Sequence, residues 1–82
     1  MKYKIQIDSK AVKFISKQPQ KQKERIFRAI YKLPDFGDIK TMKGYNNYYR
    51  LRVGDYRIIY TLDNDILLIR VIAVGNRGDI YK

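Results

Sequence analysis

A chain of 82 residues, 45% of them hydrophobic, supports one modest core and reads as a single domain, 1–82, close to the size at which burial only just outweighs chain entropy. It has no cysteine and no histidine, which excludes a disulfide framework, a thiolate or imidazole metal site, and the side chain best suited to proton transfer near neutral pH. Its 18 Lys and Arg against 8 Asp and Glu leave a charge of +10, more than solubility alone requires, so a polyanion is expected, nucleic acid before an acidic protein or an anionic membrane.

The first residues, MKYKIQIDSK, lack the apolar stretch of a signal peptide, and no run approaches the ~20 apolar residues of a membrane span. The chain therefore reads as cytoplasmic, with no membrane partner. Tyr3, Ile5 and Ile7 alternate with Lys4 and Gln6, the pattern of a half-buried strand. Asp8 or Ser9 can cap a helix in which Ala11, Val12 and Ile15 recur at helical spacing, broadened by Phe14. Gln18-Pro19 interrupts it. A second helix follows over about 19–32 with Ile26, Phe27, Ile30 and Leu33 on its buried stripe. Its Lys21, Lys23, Arg25, Arg28 and Lys32 are most simply a solvated face. Leu33-Pro34 ends that helix, and 34–44 is expected to be an irregular connection.

Three strands close the chain, over about 45–53, 56–62 and 66–74. Gly54-Asp55 forms a two-residue turn, and Asp63-Asn64 is the expected turn of the second hairpin. Tight turns make these strands antiparallel neighbours. The fold class is α+β: an N-terminal strand, a two-helix hairpin and a three-stranded antiparallel meander. The helices pack on the sheet face that carries Leu51, Val53, Ile58, Leu67, Ile69 and Val71.

Pairing Val53 with Tyr56 across the first turn sets Arg52 opposite Arg57, and a two-residue second turn sets Arg70 opposite Arg57 as well. Like charges directly across a sheet destabilise it. Alternation gathers Arg50, Arg52, Arg57 and Arg70 on the face away from the helices, among Tyr48, Ile59, Leu68 and Ile72. A guanidinium cannot relieve repulsion by losing its proton, whereas phosphate oxygens match its fork of donors. Tyr48 offers a plane for an unstacked base. The pattern points to RNA or another phosphate ligand and does not by itself imply catalysis. The tail, VIAVGNRGDIYK, adds Arg77 and Tyr81, placed to close over one end of a bound strand.

The element order, the stretch MKGYNNYYRLRVGDYRIIY and the ending VGNRGDIY resemble the RelE/ParE family of toxins from type II toxin–antitoxin pairs. The resemblance covers essentially the whole chain. RelE-type members cleave mRNA in the ribosomal A site, and ParE-type members poison DNA gyrase. It implies that Arg50 and Arg52 contact the mRNA backbone, that Lys43 reaches RNA or the ribosome, and that Arg57 and Arg77 hold the scissile phosphate. Tyr81 would stack or transfer a proton near the cleavage site. The candidate set is therefore Arg52, Arg57, Arg77 and Tyr81 for catalysis, and Lys43, Tyr48, Arg50, Arg70 and Asn76 for RNA. No cofactor and no metal are expected. The implied partners are mRNA in the A site, ribosomal RNA, and a cognate antitoxin with an acidic or amphipathic segment. Where many relatives carry His-Arg-Arg, this chain has Asn76-Arg77-Gly78, which leaves the general base unassigned. The alternatives are a gyrase inhibitor of the ParE type and an RNA-binding relative with little cleavage.

Overall fold

A computed structural model describes residues 3–35, 37–42, 44 and 47–76. Strand β1 (Lys4–Ile7) leads into helices α1 (Ser9–Ser16) and α2 (Gln20–Tyr31), followed by strands β2 (Asp38–Thr41), β3 (Tyr48–Val53), β4 (Tyr56–Asp63) and β5 (Leu68–Asn76). The sheet order is β1-β5-β4-β3-β2; β1 runs parallel to β5 and every other pair is antiparallel. The α+β class is as expected, but the irregular connection assigned to 34–44 contains a strand. β2 pairs Ile39 with Leu51 and Lys40 with Arg50, so the meander has four strands rather than three.

The core lies between the helices and one face of the sheet. Ala11 and Ile15 of α1 and Ile26 and Ile30 of α2 are fully buried, as their helical spacing requires. They meet Leu51, Val53, Tyr56, Ile58, Tyr60, Ile69, Val71 and Val74. Leu67, expected on that face, instead sits exposed in the turn between β4 and β5 with φ of 53°.

At the break between the helices, Gln18 donates from Nε2 to the Phe14 carbonyl, while its Oε1 accepts from the Tyr56 hydroxyl at 2.9 Å. One side chain thus closes α1 and ties the helical corner to the start of β4. Asp8 stands at the N-cap of α1 without capping it. Its carboxylate is engaged elsewhere.

The second hairpin differs from expectation in a way that matters for the charged face. Its loop is four residues, 64–67, because Asp63 Oδ1 accepts from the backbone N–H of Asp65 and Ile66. A register shift between Ile59 and Tyr60 adds a further step. Arg57 therefore faces Gly75, and Arg70 faces Thr61, in place of the predicted Arg57–Arg70 pair.

Candidate nucleic-acid interface

The face of the sheet away from the helices is built in cross-strand rows. One row holds Asp38, Arg52, Arg57 and Gly75; the next holds Lys40, Arg50, Ile59 and Ala73; the third holds Tyr48, Thr61, Arg70 and Gln6. Successive rows are about 7 Å apart, two residues along a strand. The predicted opposition of Arg52 and Arg57 is present. Arg50 stands one row away on the same strand as Arg52, so three guanidinium groups occupy adjoining places.

Their surroundings differ. Arg57 is only 7% exposed, Arg52 is exposed, and Arg50 is half-buried with its Nε shielded from solvent and making no hydrogen bond. Gly75, next to Arg57 on β5, projects no side chain, which leaves room for the long Arg57 side chain in the middle of the sheet. Buried Ile59 floors the neighbouring row. A permanently charged fork set in a half-apolar surface binds an anion more strongly than the same group in bulk water, because less water competes for it.

Arg70 belongs to a different place. Its Nε donates to Asp8 Oδ1 at 2.9 Å and its Nη2 to Asp8 Oδ2 at 3.1 Å, a bidentate pair two rows from Arg57. The Asp8 carboxylate, by hydrogen bond and then by charge, raises the Arg70 pKa further. The expected group of four arginines is therefore three together and one held by an internal acid. Tyr48 lies in the Arg70 row and is partly exposed.

Tyr48 also borders a cleft of about 510 Å³ whose other walls include Asp63 and Asp65 and, among the described residues, no lysine or arginine. Its two carboxylates disfavour an anion there. Asn76 ends β5 opposite Tyr56, and alternation puts it on the helix side of the sheet, apart from the arginines. Lys43, Arg77 and Tyr81 lie outside the described residues. Among the described residues no group of His, Cys, Asp and Glu side chains could hold a metal ion, and no helix is long and apolar enough to cross a membrane.

Two features escaped the sequence reading. The pairing of Arg70 with Asp8 joins residues 62 positions apart, and only the parallel β1–β5 ladder brings them together. The role of Gly75 as the neighbour of Arg57 had a signal, a glycine within the VIAVGN strand pattern, but its partner depended on the unforeseen bulge.

Comparison with known proteins bears on the family and the fold. Residues 5–81 match the model of the family described as ParE toxin of type II toxin–antitoxin system, parDE. Toxin RelE3 of Methanocaldococcus jannaschii is 50% identical over 44 residues, a match covering 54% of this chain and about half, 48%, of that protein's length. Among solved structures, a chain of the RelB–RelE antitoxin–toxin complex of Methanococcus jannaschii is 34% identical with a TM-score of 0.76, covering 93% of this chain and 94% of that one. A chain of the archaeal RelE–RelB complex of Pyrococcus horikoshii OT3 is 28% identical with a TM-score of 0.79, covering 96% and 99% respectively. The chain belongs to the RelE/ParE family of type II toxin–antitoxin toxins.

Proposed function

We propose that this protein is a toxin that cuts mRNA on the ribosome, in the cytoplasm, and is held inactive by a cognate antitoxin. The observation that carries the reading is the row of Arg52 and Arg57 beside Arg50 on one face of the sheet. Relatives in the RelE–RelB complexes support the antitoxin partner.

In this reading the ribose 2′-hydroxyl releases its proton to water as its oxygen attacks the adjacent phosphorus, and the bond to the 5′-oxygen breaks. The products are a 2′,3′-cyclic phosphate and a 5′-hydroxyl, the latter formed as the leaving oxygen takes up a proton. Arg57 and Arg52 meet the charge that develops on the non-bridging oxygens, and Arg50 holds the neighbouring phosphate. One well-placed donor in a shielded site contributes roughly 3–4 kcal/mol to the transition state, so two guanidinium groups supply a large part of the rate. The charge is met by guanidinium rather than by a metal. The ribosome supplies the in-line geometry. Arg77 and Tyr81 complete the set by family resemblance, Arg77 on the scissile phosphate and Tyr81 stacked on the base or near the leaving group.

A second reading, a gyrase inhibitor, is favoured by the family description that residues 5–81 match. Induced expression from a tight promoter separates the two. Transcripts with new 5′ ends inside translated codons support cleavage. Intact transcripts with a DNA-damage response support the gyrase reading.

A further inference from the structure

Strand β1 is the outermost strand of the sheet at the end opposite β2, and among the described residues no strand pairs with its free edge. The backbone N–H groups of Lys4 and Asp8 donate to the Leu67 and Val71 carbonyls on the β5 side. Alternation therefore turns the N–H and C=O groups of Ile5 and Ile7 outward, where they form a template for another strand. We infer that a second copy of this chain pairs with that edge, β1 antiparallel to β1, so that the two sheets join into one across a two-fold axis at Gln6.

The strand carries its own complement. Lys4-Ile5-Gln6-Ile7-Asp8, read against itself in the opposite direction, sets Lys4 opposite Asp8 of the second copy, Ile5 opposite Ile7, and Gln6 opposite Gln6. Opposite charges thus face each other at both ends of the pairing, which favours this register. The residues with outward backbone groups are the opposed isoleucines, and a pair of this kind exchanges both of its backbone hydrogen bonds. Their side chains, half-buried against the core in one copy, would be covered further by the other.

An axis perpendicular to the sheet keeps the helices of both copies on one side. There a groove of about 670 Å³ beside β1 is lined by Ile7, Lys10, Val12 and Lys13 among others, and Val12 is 44% exposed. Helix α1, SKAVKFIS, has no acid to balance its lysines. In the antiparallel register the end of one β1 that enters α1 lies beside Lys4 of the other copy, whose N–H bonds to Leu67 in the β4–β5 loop. At that loop Asp63 and Asp65 accompany exposed Ile66 and Leu67, and the Tyr3 hydroxyl, donating to Asn64, ties it to the start of β1. Lysines and an apolar side chain of one copy thus come to the same end of the junction as acids and apolar side chains of the other. The charge of +10 on each copy opposes association, so the pairing should strengthen with added salt.

Sedimentation equilibrium of the purified full chain over a range of protein concentration, at about 0.5 M salt to screen the repulsion, tests the pairing. The wild type should approach twice the mass of one chain as concentration rises. Lys4 is exposed, and Lys4→Glu sets an acid opposite Asp8 at both ends of the pairing. Association should weaken about tenfold although the net charge falls. Lys21→Glu makes the same charge change on exposed α2 and should weaken nothing. Gln6→Cys supplies a second measurement. The chain has no cysteine of its own, and opposed residues of this kind have Cα atoms about 4.5 Å apart, so the variant should oxidise to a disulfide-linked dimer. Lys4→Cys, whose two copies stand about 13 Å apart along the strands, should not. A chain that stays monomeric at every concentration would overturn the inference and leave the edge to a strand of another protein. Equal association of the two charge variants, or equal cross-linking of the two cysteine variants, would overturn it as well. Neither measurement reads cleavage, so failure here leaves the cleavage reading standing.

Discussion

Arg57 combines a permanent charge, a 7% exposure and a glycine neighbour. A lysine there would keep the charge and lose the planar fork. Arg57→Lys should therefore slow mRNA cleavage about 100-fold while the protein stays folded, as checked by primer-extension time courses beside circular dichroism. Tyr60 is a second residue with a measurable signature. It is 1% exposed and stacks on Tyr49 with ring centroids 5.5 Å apart. Burial, and then the neighbouring Tyr49, push its pKa up to about 12. The unfolded chain ionises this phenol near pH 10 and the folded one resists, so the contribution is intact below pH 10 and is lost as pH rises toward 12. The expected loss is on the order of 2–3 kcal/mol across that window. Urea titrations of the wild type and Tyr60→Phe at several alkaline pH values check it: only the wild type should show this extra decline.

At the scale of elements, α1, α2 and the Gly54 hairpin were legible because each carries a strong local period or turn signal. Strand β2 was not. Of its four residues, DIKT, only Ile39 is apolar, and an edge strand of that length leaves almost no periodic trace. The register of the last hairpin was also beyond reach, since it depends on the Asp63 side chain widening the loop and on a bulge that no residue type announces. The face of Arg70 was nevertheless readable, whereas its partner was not, because Asp8 comes from the other end of the chain. The same loop yields a prediction. Leu67 holds a left-handed φ of 53° that a branched side chain tolerates poorly. Leu67→Gly should stabilise the protein by about 1 kcal/mol, read as a raised urea midpoint at unchanged slope. An unchanged or lowered midpoint would show that the Leu67 side chain contributes more than its backbone costs.

Over the whole molecule, a charge of +10 is spread over the guanidinium rows of the open face and the α2 cations on the helix side, and Arg52 lines one groove with Arg25, Arg28 and Lys32. The charge itself predicted a polyanion; its division between two faces required the fold. An antitoxin that covers either face must bring carboxylates to it, so toxin–antitoxin affinity should weaken steadily with salt in a titration at varied ionic strength. Affinity indifferent to salt would indicate apolar docking instead.

The central claim is that the Arg50, Arg52 and Arg57 face handles the scissile RNA. Primer extension on an mRNA under translation, comparing the wild type with Arg52→Gln and with Lys13→Gln on exposed α1, tests it most directly. The two variants lose the same charge from different places. Cleavage should fall about 100-fold for Arg52→Gln and remain near wild type for Lys13→Gln. Equal activity in the two folded variants would contradict the claim.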